Sequence, residues 1–392
     1  MKPVPVKSLA EVAESVRYGY TASASDRPVG PHFLRITDIV PSQIDWDSVP
    51  FCEIDEKGKD RFSLAPGDIV IARTGATVGY AKLIRDNPEA VFASYLVRIR
   101  VDPKHADSGY VGRIVESDVY KKFVMSRVGG AAQPNANAKV LSAFRLPIPE
   151  RVTQARIVEV LSAYDDLIEN NRRRIQLLEE AARLLYKEWF VHLRFPGHEH
   201  VDLIDGVPKG WQQKRLSEIA DITMGQSPKS IYYNEDGNGL PFHQGVTNFG
   251  VRFPSHETYC TVQNRIAEPG DILFSVRAPV GRINITPDKI VIGRGLSAIR
   301  SNCGQQNLLF YALKSHFFKE DMMGGGAIFA AITKKDLHGV ELMQPSDRLA
   351  GMFLEHVRPI DLQIANLQQA IDDLNQARDV LLPRVLNGEV TV

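Results

Sequence analysis

The chain repeats itself, and an internal repeat constrains a fold more than any other feature a sequence can show. Pro66-Gly67-Asp68-Ile69 returns 203 positions later as Pro269-Gly270-Asp271-Ile272, and each copy runs on to a Val-Gly pair, Val78-Gly79 and Val280-Gly281. Val91, Leu96, Ile99 and Arg100 come back as Val291, Leu296, Ile299 and Arg300 at a separation of 200, so a few residues were lost between the blocks. Indels of this kind belong in surface loops. From Gly129 to Leu185 the separation holds at 196, and fifteen positions are identical, among them Gly129/Gly325, Gly130/Gly326, Lys139/Lys335, Pro149/Pro345, Asp165/Asp361, Ile175/Ile371 and Leu178/Leu374. Residue frequencies of a few per cent each would give roughly a quarter of that number by chance. Leu9, Glu11 and Ala13 against Leu216, Glu218 and Ala220 carry the repeat back to the start of each half.

Each half has the same internal order. Short β-rich runs such as Asp68-Ile69-Val70-Ile71-Ala72 and Asp271-Ile272-Leu273-Phe274-Ser275, punctuated by Gly, Pro, Asn and Asp, predict a strand-rich mixed domain. The pattern then changes abruptly at Pro147/Pro149 and again at Pro345 to a long helix. In the second half apolar residues fall at Phe353, Val357, Ile360, Ile364, Leu367, Ile371, Leu374, Leu381 and Val385, with Arg378 at one heptad position. The first half repeats the seam at Ile157, Leu161, Tyr164, Ile168, Ile175, Leu178, Ala182, Leu185 and Trp189, with Asn171 in the remaining position. Steps of three and four sustained over such a length describe a coiled-coil seam, whereas a shorter stripe would be the core face of an ordinary helix. The expectation is an α+β chain: a tandem duplication of a strand-rich domain followed by a long helix, the two helices pairing as an antiparallel coiled coil. The boundaries are 1–148 and 195–345 for the globular parts, the second with its linker, and 149–194 and 346–392 for the helical ones. Pseudo-two-fold pairing predicts that Asn171 sits near Leu367.

Function classes fall away next. Among 392 residues, 47 Lys and Arg balance 47 Asp and Glu, so no net field draws the whole chain to nucleic acid or anionic lipid, and any such binding is local. Cys52, Cys260 and Cys303 lie far apart without CxxC spacing, which suggests neither a disulfide framework nor a zinc site. The opening MKPVPVKSLAEVAESV has no apolar signal-peptide core, and no run of about 18 apolar residues occurs, so a soluble, cytoplasmic protein is expected. No G-x-x-x-x-G-K-[ST], H-E-x-x-H or G-x-S-x-G motif is present. His198-Glu199-His200 lies in a linker without a third ligand at suitable spacing, and Asp55-Glu56-Lys57 reads as a surface turn. No Asn-Pro-Pro-aromatic segment, which would hold a flipped adenine, occurs.

The duplicated order, the Pro-Gly-Asp-Ile…Val-Gly block in each half, the helix entered through Pro149-Glu150…Gln154…Ile157, and the linker Phe195-Pro196-Gly197-His198-Glu199 leading to Asp205-Gly206-Val207-Pro208-Lys209-Gly210-Trp211 together resemble the DNA-specificity (S) subunit of type I restriction-modification enzymes. The resemblance covers essentially the whole chain. It implies two target recognition domains, each reading one half of a split DNA site, and two helical regions that bind a pair of methyltransferase (M) subunits, with restriction (R) subunits as possible further partners. It also implies a non-catalytic chain without a cofactor: adenine methylation and ATP-driven restriction, with their S-adenosylmethionine, ATP and Mg, sit on partner subunits. A duplicated scaffold that binds only protein is the competing reading, and a steep salt dependence of DNA binding separates the two.

The residues agree with DNA reading. Ile157 and Trp189 are 32 residues apart, roughly 48 Å of helix, more than the roughly 34 Å turn of B-DNA. Arg and Lys suit phosphate or guanine, Asn and Gln suit adenine edges. In the first half such residues are Tyr18, Tyr20, Arg35, Arg73, Thr74, Thr77, Gln133, Asn135, Asn137 and Lys139. In the second they are Gln226, Lys229, Gln244, Arg277, Arg294, Thr333, Lys334 and Lys335. Lys139/Lys335 and the Arg73/Arg277 loops are read as matched between halves. Arg172-Arg173-Arg174 flanks Asn171 and is either a solvated face or a contact to partner carboxylates or to the DNA spacer. The two halves differ strongly outside the shared blocks, so the two half-sites should differ in sequence.

Overall fold

The computed structural model describes residues 4–41, 43–86, 89–128, 134–317 and 331–386. The chain forms two compact units: residues 1–169 with 371–392, and residues 170–370. Each unit therefore holds one strand-rich module and the adjoining stretches of both long helices.

The first module is built on a four-stranded antiparallel sheet in the order Ala13–Tyr18, Leu96–Val101, Asp68–Ala72, Ala81–Leu83. The second repeats it as Ala220–Met224, Leu296–Ser301, Ile272–Ser275, Ile283–Ile285. The register is also repeated, since Ile69 faces Ile99 and Ile272 faces Ile299. The Pro-Gly-Asp block explains why. Asp68 and Asp271 are buried, accept hydrogen bonds from the backbone N–H of Ala65 and Glu268 at 3.0 and 2.9 Å, and take the guanidinium forks of Arg100 and Arg300. A turn and a bidentate ion pair thus set the central strand against its neighbour. The block shared by the two halves serves the framework.

Each module is closed by its own first strand. Val6–Ser8 pairs with Arg145–Pro147, and Gln212–Arg215 pairs with Glu341–Gln344, so the chain entering a module is tied to the chain leaving it for the long helix. The repeated Glu11 and Glu218 accept from the backbone N–H of Ser8 and Arg215, three residues upstream, and start the short helix that follows.

The long helices run Arg151–Tyr186, continued by a π-helical turn at Lys187–Val191, and Asp347–Leu386. Every seam residue from Ile157 to Trp189 and from Phe353 to Val385 is buried or half-buried. In the first unit Ile157 and Leu161 share a core with Leu381 and Val385, while Asp165 pairs with Arg378 at 2.9 Å. In the second, Tyr186, Trp189 and Phe190 surround Phe353, while Glu179 and Asp361 share one arginine. The helices are antiparallel within each unit. Arg378, the charged interruption of the seam, is accounted for by its ion pair with Asp165 on the other helix. The pairing is antiparallel as expected, and Asn171 and Leu367 both lie on the seam, within the stretch of the pair that the second unit holds. The bulky aromatic cluster around Phe353 sets the phase, which heptad spacing leaves open by whole turns.

Among the described residues, no helix is long and apolar enough to cross a membrane.

Candidate nucleic-acid interface

Hydrogen bonds between repeated backbone positions show which candidate residues occupy equivalent places. The N–H of Tyr20 donates to Phe92 O and that of Gln226 to Ile292 O, so Tyr20 and Gln226 correspond. Ala93 donates to Leu34 O and Gly293 to His243 O, which places Arg35 with Gln244, and Ser94 with Arg294. The positions before Tyr20 and Gln226 must be glycine. A Cβ on Gly19 would meet the Ala93 carbonyl oxygen at 2.2 Å, and one on Gly225 the Gly293 oxygen at 2.2 Å.

The loop after the central strand corrects one expectation. Thr74 bridges to Asn135 and Arg277 bridges to Ala331, so the equivalent of Arg277 is Thr74, and Arg73 corresponds to Val276. The bonds from Arg73 N–H to Tyr95 O and from Val276 N–H to Gly295 O agree. Sequence spacing placed the two arginines in matched loops, and strand pairing shifts the match by one residue. Asn137 and Thr333 are equivalent and act locally, since each caps a short helix, Ala138–Ser142 or Lys334–His338, by accepting from a backbone N–H of its first turn. Lys139 and Lys335 follow on exposed positions, with Lys334 also exposed.

In the first module Arg73 is held in place. Its guanidinium lies 5.0 Å from the Tyr18 ring centre and donates to Asn135 Oδ1 and Ser94 O at 3.3 and 3.4 Å. Tyr18 accepts from the Ala138 N–H, so Tyr18, Arg73, Asn135 and the helix bearing Lys139 form one cluster. Thr74 and Thr77 are half-buried beside it. Tyr20 leans on Phe62, with ring centres 5.4 Å apart. Arg35 grips Asp38 with two nitrogens, and that hydrogen-bonded pair raises its pKa above the ordinary arginine value. The grip uses two of the five N–H donors of the guanidinium. Gln133 lies outside the described residues.

In the second module two of the candidates, Gln244 and Arg294, line an open concavity of about 690 Å³ together with Ser227, Tyr233, Thr247, Asn248 and Glu257 among others. A second hollow of about 260 Å³ shares Gln244 and Arg294 and adds Ser275 and Arg277. Gln226, Lys229, Gln244, Arg277 and Arg294 are all exposed, the last next to a serine that ties the wall together: Ser227 donates to Gln244 Oε1 at 2.9 Å and accepts from the Arg294 N–H at 3.1 Å. Gln can pair with an adenine edge, Arg with guanine or phosphate, and Glu257 can accept from the amino group of cytosine.

Sequence reasoning missed His243, which forms part of the wall of that concavity and is 4% exposed. Its Nε2 lies 2.8 Å from His256 Nδ1, and His256 Nε2 lies 3.1 Å from Asp288 Oδ2. Burial, then the neighbouring His256, pushes its pKa down to about 4. The folded ring stays neutral while the unfolded one takes a proton near pH 6.5. Its contribution is therefore complete above about pH 6.5 and disappears as the pH falls towards 4, amounting to about 3 kcal/mol. Urea unfolding of the wild-type chain and a His243→Gln variant should show the wild type losing that stability over this interval and the variant losing less. Parallel pH profiles would refute a buried neutral imidazole. Among the described residues no group of three or more His, Cys, Asp and Glu is placed to hold a metal.

The comparisons with known proteins fit this geometry. A family model described as the type I restriction modification DNA specificity domain matches residues 1–180 and 208–376, one match to each half. A Methanocaldococcus jannaschii protein named as the putative type I restriction enzyme MjaX specificity subunit is 29% identical, over 99% of this chain and 93% of its own length. The MjaIX specificity subunit of the same organism is 26% identical, over 86% of this chain and 82% of its own. The crystal structure of a type I restriction-modification S subunit from M. genitalium shares the fold at a TM-score of 0.55 and 15% identity, over 98% of this chain and 97% of its own.

Proposed function

The chain belongs to the type I restriction-modification DNA-specificity family, and from that premise we propose that each module reads one half of a bipartite, asymmetric DNA site while the long helices space the modules and dock a pair of methyltransferase subunits. The observation that carries this reading is the set of equivalent positions. On a repeated framework, Tyr20, Arg35, Thr74, Ser94 and Asn135 of one module are replaced by Gln226, Gln244, Arg277, Arg294 and Ala331 of the other. The framework of each module positions the same loop tips, and the hydrogen-bonding chemistry on those tips differs. Two such modules select two different half-sites.

In this reading the chain is non-catalytic and binds no cofactor. Methyl transfer to adenine belongs to the partner subunits with their S-adenosylmethionine, and ATP- and Mg-dependent cleavage to restriction subunits where these join. The complex works on cytoplasmic DNA. Assembled with its methyltransferase partners, the chain should direct methylation to one motif of two unlike halves around a fixed, unread spacer. Affinity for duplex DNA should fall roughly tenfold between about 50 and 200 mM salt for every two phosphates contacted. A single uninterrupted motif would overturn the division of labour between modules, and DNA affinity indifferent to salt would favour a protein-only scaffold.

A further inference from the structure

We propose that Arg252 is a positioning residue for the second module: its buried side chain fastens the loop that lines the DNA-facing concavity to both long helices. The inference rests on the reading of that concavity as a DNA interface. Arg252 sits on the connection between the strands Leu240–His243 and Tyr259–Cys260. Shortly before it come Thr247 and Asn248, and shortly after it Glu257, all lining the concavity.

The side chain itself points the other way. It is 3% exposed on the side-chain scale and reaches three partners: Glu179 on the first long helix, Asp361 on the second at 2.9 Å, and the Tyr311 hydroxyl at 2.7 Å. Its guanidinium also lies 4.3 Å from the Phe310 ring centre. Lys314 completes the group with a 2.9 Å bond to Glu179, so two cations face two carboxylates and the buried charge is balanced. Burial alone would raise the Glu179 pKa, but Arg252 and then Lys314 more than reverse this, and both carboxylates are held where an arginine can bridge them.

The loop is equally fixed behind Arg252. Its carbonyl accepts from the Ile285 N–H at 2.8 Å, and the buried Asn284 side chain bonds both N–H and C=O of Gly250. The reading loop is thus tied to the central sheet on one side and to the helices on the other. In the first unit the equivalent aspartate, Asp165, is served instead by Arg113 from the helix Ser108–Val115 and by Arg378. Among the described residues, the clamp from a reading loop to the long helices is found in the second module. An ionic cluster of this kind adds little net stability over a well-packed apolar one, so its presence fits a role in holding one arrangement.

The test uses the assembled complex and a library of duplexes randomised in each half-site. Arg252→Met together with Asp361→Asn removes one charge of each sign and leaves the Lys314–Glu179 pair intact, so the double variant should fold. Its discrimination at the half-site read by the second module should fall at least tenfold, with the first half-site unchanged and the salt slope of binding preserved. Arg252→Lys should restore only part of the discrimination, because a point charge cannot bridge Glu179, Asp361 and Tyr311 together. A folded double variant with wild-type discrimination, an equal loss at both half-sites, or a salt slope reduced by about one contact would overturn the proposal. If the wild-type complex enriches no sequence at all, it is the DNA-reading assignment that fails.

Discussion

Exchange of residues 1–148 for the corresponding module of a relative changes one half of the methylated site completely and leaves the other half untouched. The module is a closed unit at its ends. Val6–Ser8 pairs with Arg145–Pro147, the Ile148 N–H donates to Pro5 O at 2.8 Å, and Leu9 N–H to Phe144 O at 2.9 Å. A junction after residue 148 keeps these bonds inside the transplanted piece. The graft must still seat on Ile157, Leu161 and Val385, which belong to the same core as Tyr110 and Leu146, so a donor with apolar residues at those contacts is required. Specific sites are commonly bound about 10³-fold or more above other sequences, and the preference at the exchanged half should move by about that factor. Mapping methylated adenines in cells carrying the hybrid checks it. If both halves change together, neither module reads its half independently.

The second large effect is on stability. Phe353 is fully buried, 0% exposed, at the start of the second long helix's seam. The rings of Trp189, Tyr186, Phe190 and Tyr311 lie around it with centres 5.0 to 6.1 Å away, mostly edge to face. Phe353→Ala removes the ring from the middle of this cluster, and four large neighbours cannot all collapse into the void. The expected cost is about 3–5 kcal/mol, a large share of the roughly 5–15 kcal/mol available to a typical domain. Leu362, 63% exposed on the same helix, is the control: Leu362→Ala should stay within about 0.5 kcal/mol. Denaturant unfolding monitored by tryptophan fluorescence is suited to the comparison, because Trp189 is in the cluster. A Phe353→Ala midpoint equal to that of the control would show that this end of the helix pair is not packed as described.

The amino-acid order by itself specifies the duplication, the succession of strand-rich module and long helix, and the residues of the seam. These are local signals: an alternation of apolar residues, a step of three and four, a turn that needs Pro-Gly-Asp, repeated at a measurable separation. Asp165 and Asp361 are visible as identical residues, yet nothing in the spacing says that one meets Arg113 and Arg378 and the other Arg252. Arg252 lies 73 residues from Glu179 and 109 from Asp361. Pairings over such separations depend on how sheets and helices close on one another. The same holds for the single-residue shift that matches Arg277 with Thr74 and for the burial of His243. Strand pairing counts residues one at a time and a helix seam repeats every turn, so sequence periodicity leaves the phase open. Packing of large side chains such as Phe353 and Trp189 then selects a single phase.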